Sequence, residues 1–432
     1  MDYQEAIEFI KECSKFGIKL GLERMTEILS RLGNPQNAFR SVHVAGTNGK
    51  GSTVAMLEMV LRQAGYSTGR YISPHLSSYR ERFCVNGKMI TSEELAVVVT
   101  DLAPILAEVT AAGFGAPTEF EVGTALAFQF FALAKVEVAV IEVGMGGRFD
   151  ATNVLRPELS IITHIALDHQ QYLGETLEQI AFEKAGIIKP QIPVVIGEQD
   201  FMVQQFLIKI ALERDAPFSL ANEIKLTQVQ LSETGTQVKL IEPEVGELML
   251  QLKLIGAHQV SNVKNVIAAV KSLIRLGFAI TKQHLITGLN EAVWSGRLER
   301  IGHITPLKLY LDGAHNPDGI KALAETIQTL YPGQYMDLLI GILNNRPATE
   351  MAELLAPLVR KVIVTNVPDP QTTPAAELAA IFASLGVVAQ AIPDPELALE
   401  EFLHTKAAVA VATGSLYLTG FLRTKLFETG AE

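Results

Sequence analysis

Val42-His43-Val44-Ala45-Gly46-Thr47-Asn48-Gly49-Lys50-Gly51-Ser52 reads as an apolar strand that runs into a glycine-rich turn and opens onto a helix over about 50–64. Glycines permit the tight turn and let successive N–H groups converge on an anion. The positive end of the helix faces the same point, and Lys50 adds a mobile full charge. Gly46, Thr47, Asn48, Gly49, Lys50, Gly51 and Ser52 therefore make a candidate cradle for nucleotide phosphates. The strict P-loop spacing is not met. Its first glycine would fall on Val44, and Gly51 follows the lysine, with a hydroxyl only at Ser52. An ordinary βα turn is the rival reading, and the residues downstream weigh against it.

Length and charge bound the class. A chain of 432 residues suggests two or three domains with ample apolar content for a full core. A net charge of −11 argues against broad nucleic-acid or anionic-membrane binding, local basic pockets aside. Cys13 and Cys84 are too few for a disulfide framework and fit a reducing compartment. The start, Met1-Asp2-Tyr3-Gln4-Glu5, is acidic and polar, unlike a signal peptide. No apolar run reads as long and uncharged enough to span a bilayer, so a cytoplasmic enzyme is expected.

Residues 4–32 read as two amphipathic helices broken near Gly17 and Gly21. After the glycine turn, Thr68-Gly69-Arg70-Tyr71-Ile72 completes a βαβ unit whose second strand is expected parallel beside the first. Ser73 then lies at a carboxyl end of the sheet, able to ligate magnesium or merely to open the turn before Pro74. Residues 77–88, with Arg80, Arg82 and Lys88, read as an active-site loop. Thr118 with Glu121 is a capping-box pattern ahead of a helix over about 122–134, a sufficient structural reason for both.

The strand over 137–143 is apolar yet ends in Glu142, a costly placement unless the carboxylate is paired or holds a cation. Magnesium ligation is the favoured reading. A further strand over 159–166 delivers Asp168 and His169 to the same end. Thr176 with Gln179 caps the next helix, Gly186 stops it, and Lys184 on its last turn reads as an answer to the helix dipole. Residues 218–254 change to a period of two, with turns at Gly235 and Pro243-Glu244, and read as antiparallel strands decorating the parallel sheet. A helix follows to about Leu276. A short polar link lies around Trp294–Arg300, and βαβ alternation then resumes in a second, smaller α/β domain. Its first strand ends in Asp312-Gly313-Ala314-His315-Asn316-Pro317, with Pro317 suited to a helix start.

Together these motifs resemble the folylpolyglutamate synthase family, including its bifunctional dihydrofolate synthase members, within the Mur ligase superfamily. The match is carried by the Gly46-to-Ser52 loop, Ser73-Pro74-His75-Leu76, Glu142-Val143-Gly144-Met145-Gly146-Gly147-Arg148, Asp168-His169, Glu183-Lys184-Ala185-Gly186-Ile187, His258-Gln259, Trp294-Ser295-Gly296-Arg297 and the Asp312-to-Pro317 run. The departure from the strict P-loop is the family's own form.

The resemblance implies an α/β fold: a mostly parallel P-loop-type ATPase domain with added antiparallel strands over 1–295, then a Rossmann-like glutamate ligase domain over 296–432. It implies an ATP-dependent amide ligase that phosphorylates a folate or dihydropteroate carboxylate, then lets the amine of L-glutamate displace phosphate. By the resemblance, Ser73 and Glu142 ligate one magnesium ion and His169 serves a second. Lys184 carries a carbamate, and Asn262, Arg297 and Asp312 contact ATP together with the loop. Lys50, Lys184 and His315 are the implied catalytic residues. Arg24, Arg82, Thr118, Phe120, Glu121 and Asp150 fall on the implied folate side. A monomer without nucleic-acid or membrane partners is expected. A peptidoglycan Mur ligase is the runner-up, but only 45 residues precede Gly46, too few for the extra sugar-binding domain. A non-catalytic nucleotide switch would leave Glu142, His169, Asp312 and His315 unexplained.

Overall fold

The computed structural model describes residues 1–17, 21–242, 246–302 and 307–428. The expected turn at Pro243-Glu244 lies outside them.

The first domain is built on strands β1 (Arg40–Ala45), β2 (Thr68–Tyr71), β3 (Phe83–Val85), β4 (Lys88–Met89), β5 (Val138–Glu142), β6 (Leu159–Ile162), β7 (Val194–Ile196) and β8 (Phe218–Leu220). Among the described residues they form one sheet in the order β4-β3-β2-β5-β1-β6-β7-β8, parallel except at the β2-β3-β4 edge. Because helices cover both faces, the central strands β1, β5 and β6 are buried along nearly their whole length rather than on alternate residues. Alternate residues still divide between two cores. Val42, Val44, Val138 and Val140 pack with the helix α3 (Lys50–Gln63) side, while Ala139 and Ile141 join Phe128 and Phe131 on the other face.

That other face is closed by helices α1 (Tyr3–Glu12), α2 (Glu23–Arg31), α4 (Ser92–Val109) and α5 (Glu119–Leu133). The helix spanning Ser92–Phe114 has a mean hydropathy of 1.8 and is, by length and composition, apolar enough to cross a membrane. This corrects the expectation that no such run exists. Here Leu95, Val99, Leu102 and Leu106 face the core instead.

Three other expectations are corrected. β2 is parallel to β1 but not beside it, because β5 inserts between them and pairs with both. Residues 77–88 are not all loop. They hold a short 3-10 turn, Tyr79–Arg82, and the edge hairpin of β3 and β4, whose Phe83 and Cys84 are buried. Phe218–Leu220 extends the parallel sheet through β7, and only β9 (Lys225–Ser232), β10 (Gly235–Glu242) and β11 (Gly246–Leu252) form an antiparallel sheet, separate from the first. Cys13 and Cys84 are both buried, and neither takes part in a disulfide.

After β6 come α6 (Gln170–Leu173), α7 (Leu177–Ala185) with the Thr176/Gln179 capping box in place, and α8 (Phe201–Glu213). Then α9 (Ala257–Arg275) and α10 (Lys282–Glu291) pack beside α3. The second domain has strands β12 (Glu299–Ile301), β13 (Lys308–Leu311), β14 (Met336–Ile340), β15 (Val359–Val364), β16 (Val388–Ala391) and β17 (Val409–Thr413), ordered β12-β13-β17-β14-β15-β16. Among the described residues only β12 pairs antiparallel in this sheet. Its helix α11 (Pro317–Leu330) begins with Pro317 at the first turn and Asn316 as the cap. The strand β16 is largely exposed on the sheet edge and carries too little apolar pattern to be read in advance.

Candidate active site

The connections from β1 run to one side of the sheet through β2 and β5, then return to the other side at β6. In an open α/β sheet the crevice at such a reversal, at the strands' carboxyl ends, is where ligands sit. The loop after β1, Glu142 at the end of β5 and residues 163–169 after β6 meet there. They line a cleft of about 1740 Å³ between the two domains.

The loop is held in shape by its neighbours. Gly46 and Gly49 have φ of +152° and +87°, and a Cβ at either would run into Thr163 or Asn262. A Cβ on Gly51 would come within 2.8 Å of the Trp294 ring. The Thr163 hydroxyl donates to the Asn48 carbonyl (2.8 Å), the Thr47 amide to the His164 carbonyl (2.8 Å) and the Thr47 hydroxyl to the Ala166 carbonyl (3.0 Å). Lys50 Nζ arches back over the loop to the Gly46 and Thr47 carbonyls at 3.1 and 3.2 Å. It lies 4.0 Å from Glu142 Oε1.

Lys184 is not the exposed helix-end cation its position suggests. It is buried, and its Nζ donates to the same Gly46 carbonyl at 2.8 Å. Burial, aided by the nearby Lys50 charge, pushes its pKa down to about 7. Burial likewise pushes Glu142 up to about 7, outweighing the pull of Lys50 and Arg297. Two groups of one cleft, an amine and a carboxyl, whose charged forms burial disfavours mark a site built for charge that arrives with a ligand.

Ser73 Oγ is buried without a hydrogen-bond partner, and its backbone lies against the Glu142 carboxylate. An orphaned hydroxyl beside a buried carboxylate is an oxygen-donor pair suited to a hard divalent cation, so these residues fit magnesium. His169, in a left-handed conformation, lines the same cleft, and burial lowers its pKa to about 4, leaving a neutral ring nitrogen. Among the described residues no three His, Cys, Asp or Glu side chains converge as a metal-binding group.

From the second domain, His315 Nδ1 sits 2.8 Å from the Gly313 carbonyl and so carries the proton, leaving Nε2 turned toward Asp168 at 4.0 Å. Burial lowers its pKa to about 4. Asp312 spends one carboxylate oxygen on the Leu298 amide (2.7 Å) and the other on the Ala314 amide (2.8 Å), which ties the interdomain link to β13. Arg297 and Asn262 line the cleft.

The expected folate-side residues divide. Arg82, Phe120, Asp150, Thr118 and Glu121 line the cleft, whereas Arg24 does not. Arg24 Nε instead binds both Glu121 oxygens at 3.0 and 2.9 Å, and Glu121 completes the capping box with Thr118. These three are committed to each other. Asp150 is spent on the Met145 amide and on Thr152, as a cap. Arg82 holds His75 Nδ1 (3.1 Å) and Glu119 (3.4 Å), and Phe120 packs under Gly144.

Sequence reasoning missed Asp318 and Arg346, took Asp168 only with His169 as strand-end polar groups beside the phosphate loop, and assigned no role to Asn316. Asp168 accepts from Arg346 and, at 3.2 Å, from Asn316 Nδ2. Burial favours its neutral acid, but His169, Arg346 and His315 together hold it well below the usual carboxylate range. The available signal for Arg346 was a polar run, Asn344-Asn345-Arg346-Pro347, after the buried strand β14. Asp318 stands in the first turn of α11, where the helix dipole alone accounts for an acid, so the sequence carries no distinct signal for it.

Two family profiles match the chain, the Mur ligase middle domain over residues 44–270 and the Mur ligase glutamate ligase domain over 296–416. A dihydrofolate synthase/folylpolyglutamate synthase of Bacillus subtilis is 36% identical over 427 residues, covering 98% of this chain and 99% of that protein. A folylpolyglutamate synthase of Lacticaseibacillus casei is 32% identical over 99% of both chains. Among solved structures, the Mycobacterium tuberculosis folylpolyglutamate synthase complexed with ADP superposes with a TM-score of 0.89 at 30% identity, covering 98% of this chain and 99% of that one. With both of its domains matched, in order and over nearly its full length, the chain belongs to the folylpolyglutamate synthase/dihydrofolate synthase family of Mur ligases.

Proposed function

We propose that the cleft joins L-glutamate to the carboxylate of a folate, using ATP and releasing ADP and phosphate. The observation that carries this reading is the glycine loop at the sheet reversal, with Lys50 and Lys184 converging on one loop carbonyl while His315 of the second domain faces the same cleft.

The loop amides and Lys50 hold the terminal phosphates of ATP. A folate carboxylate oxygen attacks the γ-phosphorus, the bond to ADP breaks, and an acyl phosphate forms. The neutral amine of glutamate then attacks the acyl carbon, the C–O bond to phosphate breaks, and the amine proton leaves to a neighbouring base. Phosphoryl transfer asks the protein chiefly for positioning and charge neutralisation, which the loop and lysines provide. Ser73 and Glu142 would hold one magnesium ion and His169 would serve a second. Such ions offset the charge that develops on the transferred phosphate. His315, with its proton fixed on Nδ1, offers the Nε2 lone pair to the incoming amine.

Lys184 fits a carbamate. With its pKa pushed down to about 7, a substantial share of the amine, about half, is unprotonated at neutral pH, and that form adds to CO₂, losing one proton to give an anion. Asn262, Arg297 and Asp312 complete the nucleotide side from around the link, and the boundary between the domains falls at 295/296. The test is ADP formation with reduced folyl-monoglutamate or dihydropteroate, each with and without glutamate. Sustained ADP release that requires both glutamate and one of these acids supports the reading. Release that ignores either, or that requires a different acid, contradicts it.

A further inference from the structure

Asn48 belongs to the phosphate loop, yet its side chain is spent on the second domain. Its Nδ2 donates to Asp318 Oδ2 at 2.7 Å and to Asn316 Oδ1 at 3.2 Å, and its Oδ1 accepts from Asn316 Nδ2 at 3.2 Å. Asp168, after β6, is held from the same side by Arg346 and by Asn316. Asp168 and Arg346 keep only 7% and 11% of their side chains exposed, so this is not a solvated surface pair. His164 adds a contact to Asp318 at 3.3 Å.

The second-domain partners share one location. Asn316 caps α11, Asp318 lies in its first turn, and Arg346 follows β14. All stand at the sheet end that carries His315, and Asn316 is its neighbour in the chain. Gripping Asn316 therefore fixes where His315 sits over the loop. Interfaces between domains of one chain are soft by default, and paired buried polar groups are a known means of fixing register.

We infer that Asn48 and Asp168, with Asn316, Asp318 and Arg346, form an interdomain latch that sets the second domain's register on the phosphate loop. They are positioning residues for the ligation. The kinetic readout rests on the ligase reading above, whereas domain separation and nucleotide affinity do not.

The experiment uses the full chain with spin labels at Lys209→Cys and Glu400→Cys, both exposed and one in each domain. Interdomain distance, ADP affinity, kcat and the KM for glutamate are compared for Arg346→Met, Arg346→Lys, Asp168→Asn and the Asp168→Asn/Arg346→Met double variant. The latch predicts a broader distance distribution for Arg346→Met and a loss of roughly 10-fold in kcat/KM for glutamate, with ADP affinity held within about 2-fold. Arg346→Lys recovers most of the loss, and the double variant is no worse than the poorer single. Asn316→Ser, which keeps a capping oxygen but loses the amide, should reproduce the broadening even if Arg346→Met fails to fold. The idea is overturned if ADP affinity falls as far as kcat, if the distances stay unchanged in Asn316→Ser and Arg346→Met, or if the two single losses multiply in the double variant.

Discussion

Lys184 shows how far surroundings can change the meaning of a residue type. On the last turn of a helix a lysine needs no further explanation, and only its burial against the Gly46 carbonyl reveals a group held near its neutral form. Lys184→Ala is expected to cost at least about 100-fold in kcat, since it removes the proposed carbamate and its charge from beside the phosphate loop. Short carboxylic acids that fill the vacated space should restore part of it. An alanine variant with full activity would return the residue to a structural role.

His43, in the middle of β1, is fully buried, with Nε2 2.8 Å from Thr152 Oγ1 and Nδ1 without a partner. Burial, with Lys189 adding to it, lowers its pKa from 6.5 to about 3. Between those values the unfolded chain binds more protons than the native one, so stability is lost as pH falls from 6.5 toward 3. The loss is at most about 5 kcal/mol. Thermal melts across that window should show a shallower acid slope for His43→Gln than for the natural protein. Equal slopes would remove His43 from the acid response.

At the scale of elements, what could be read in advance was what repeats locally. The Gly46–Ser52 loop, the Thr118/Glu121 and Thr176/Gln179 caps and Pro317 at a helix start follow from turn and capping chemistry within a few residues, and all are in place. Strand order was not legible in that way. The insertion of β5 between β1 and β2 depends on pairing across some 70 residues, and nothing local to Thr68–Tyr71 signals it. The β3-β4 hairpin was hidden because its outer strand is only two residues long and exposed, too short for any alternation. The site shows the same division, since loop and strand-end residues were readable whereas the Asp168–Arg346 contact joins two domains.

The Thr118 cap gives an element-scale prediction. Its hydroxyl accepts the Glu121 amide at 3.2 Å and donates to Glu121 Oε2 at 2.9 Å, while Glu121 anchors Arg24. Thr118→Ala should lower stability by about 1–2 kcal/mol in denaturant melts. KM for the folate should change only as far as the start of α5 shifts. A large rise in KM at unchanged stability would instead make Thr118 a direct substrate contact.

At the scale of the molecule, a nucleotide loop in the first domain and His315 in the second share one cleft, and the link carrying Arg297 is tied down by Asp312. In the proposed reaction phosphoryl transfer falls to the first domain and amine attack is assisted from the second, and an acyl phosphate connects the two steps. One measurement tests this directly: the folate carboxylate is labelled with a heavy oxygen isotope, and the phosphate released during glutamate addition is analysed by mass. Attack of the carboxylate on ATP, then displacement by the amine, predicts one labelled oxygen in each phosphate released. Phosphate without label, alongside normal formation of the glutamylated product, would contradict the account.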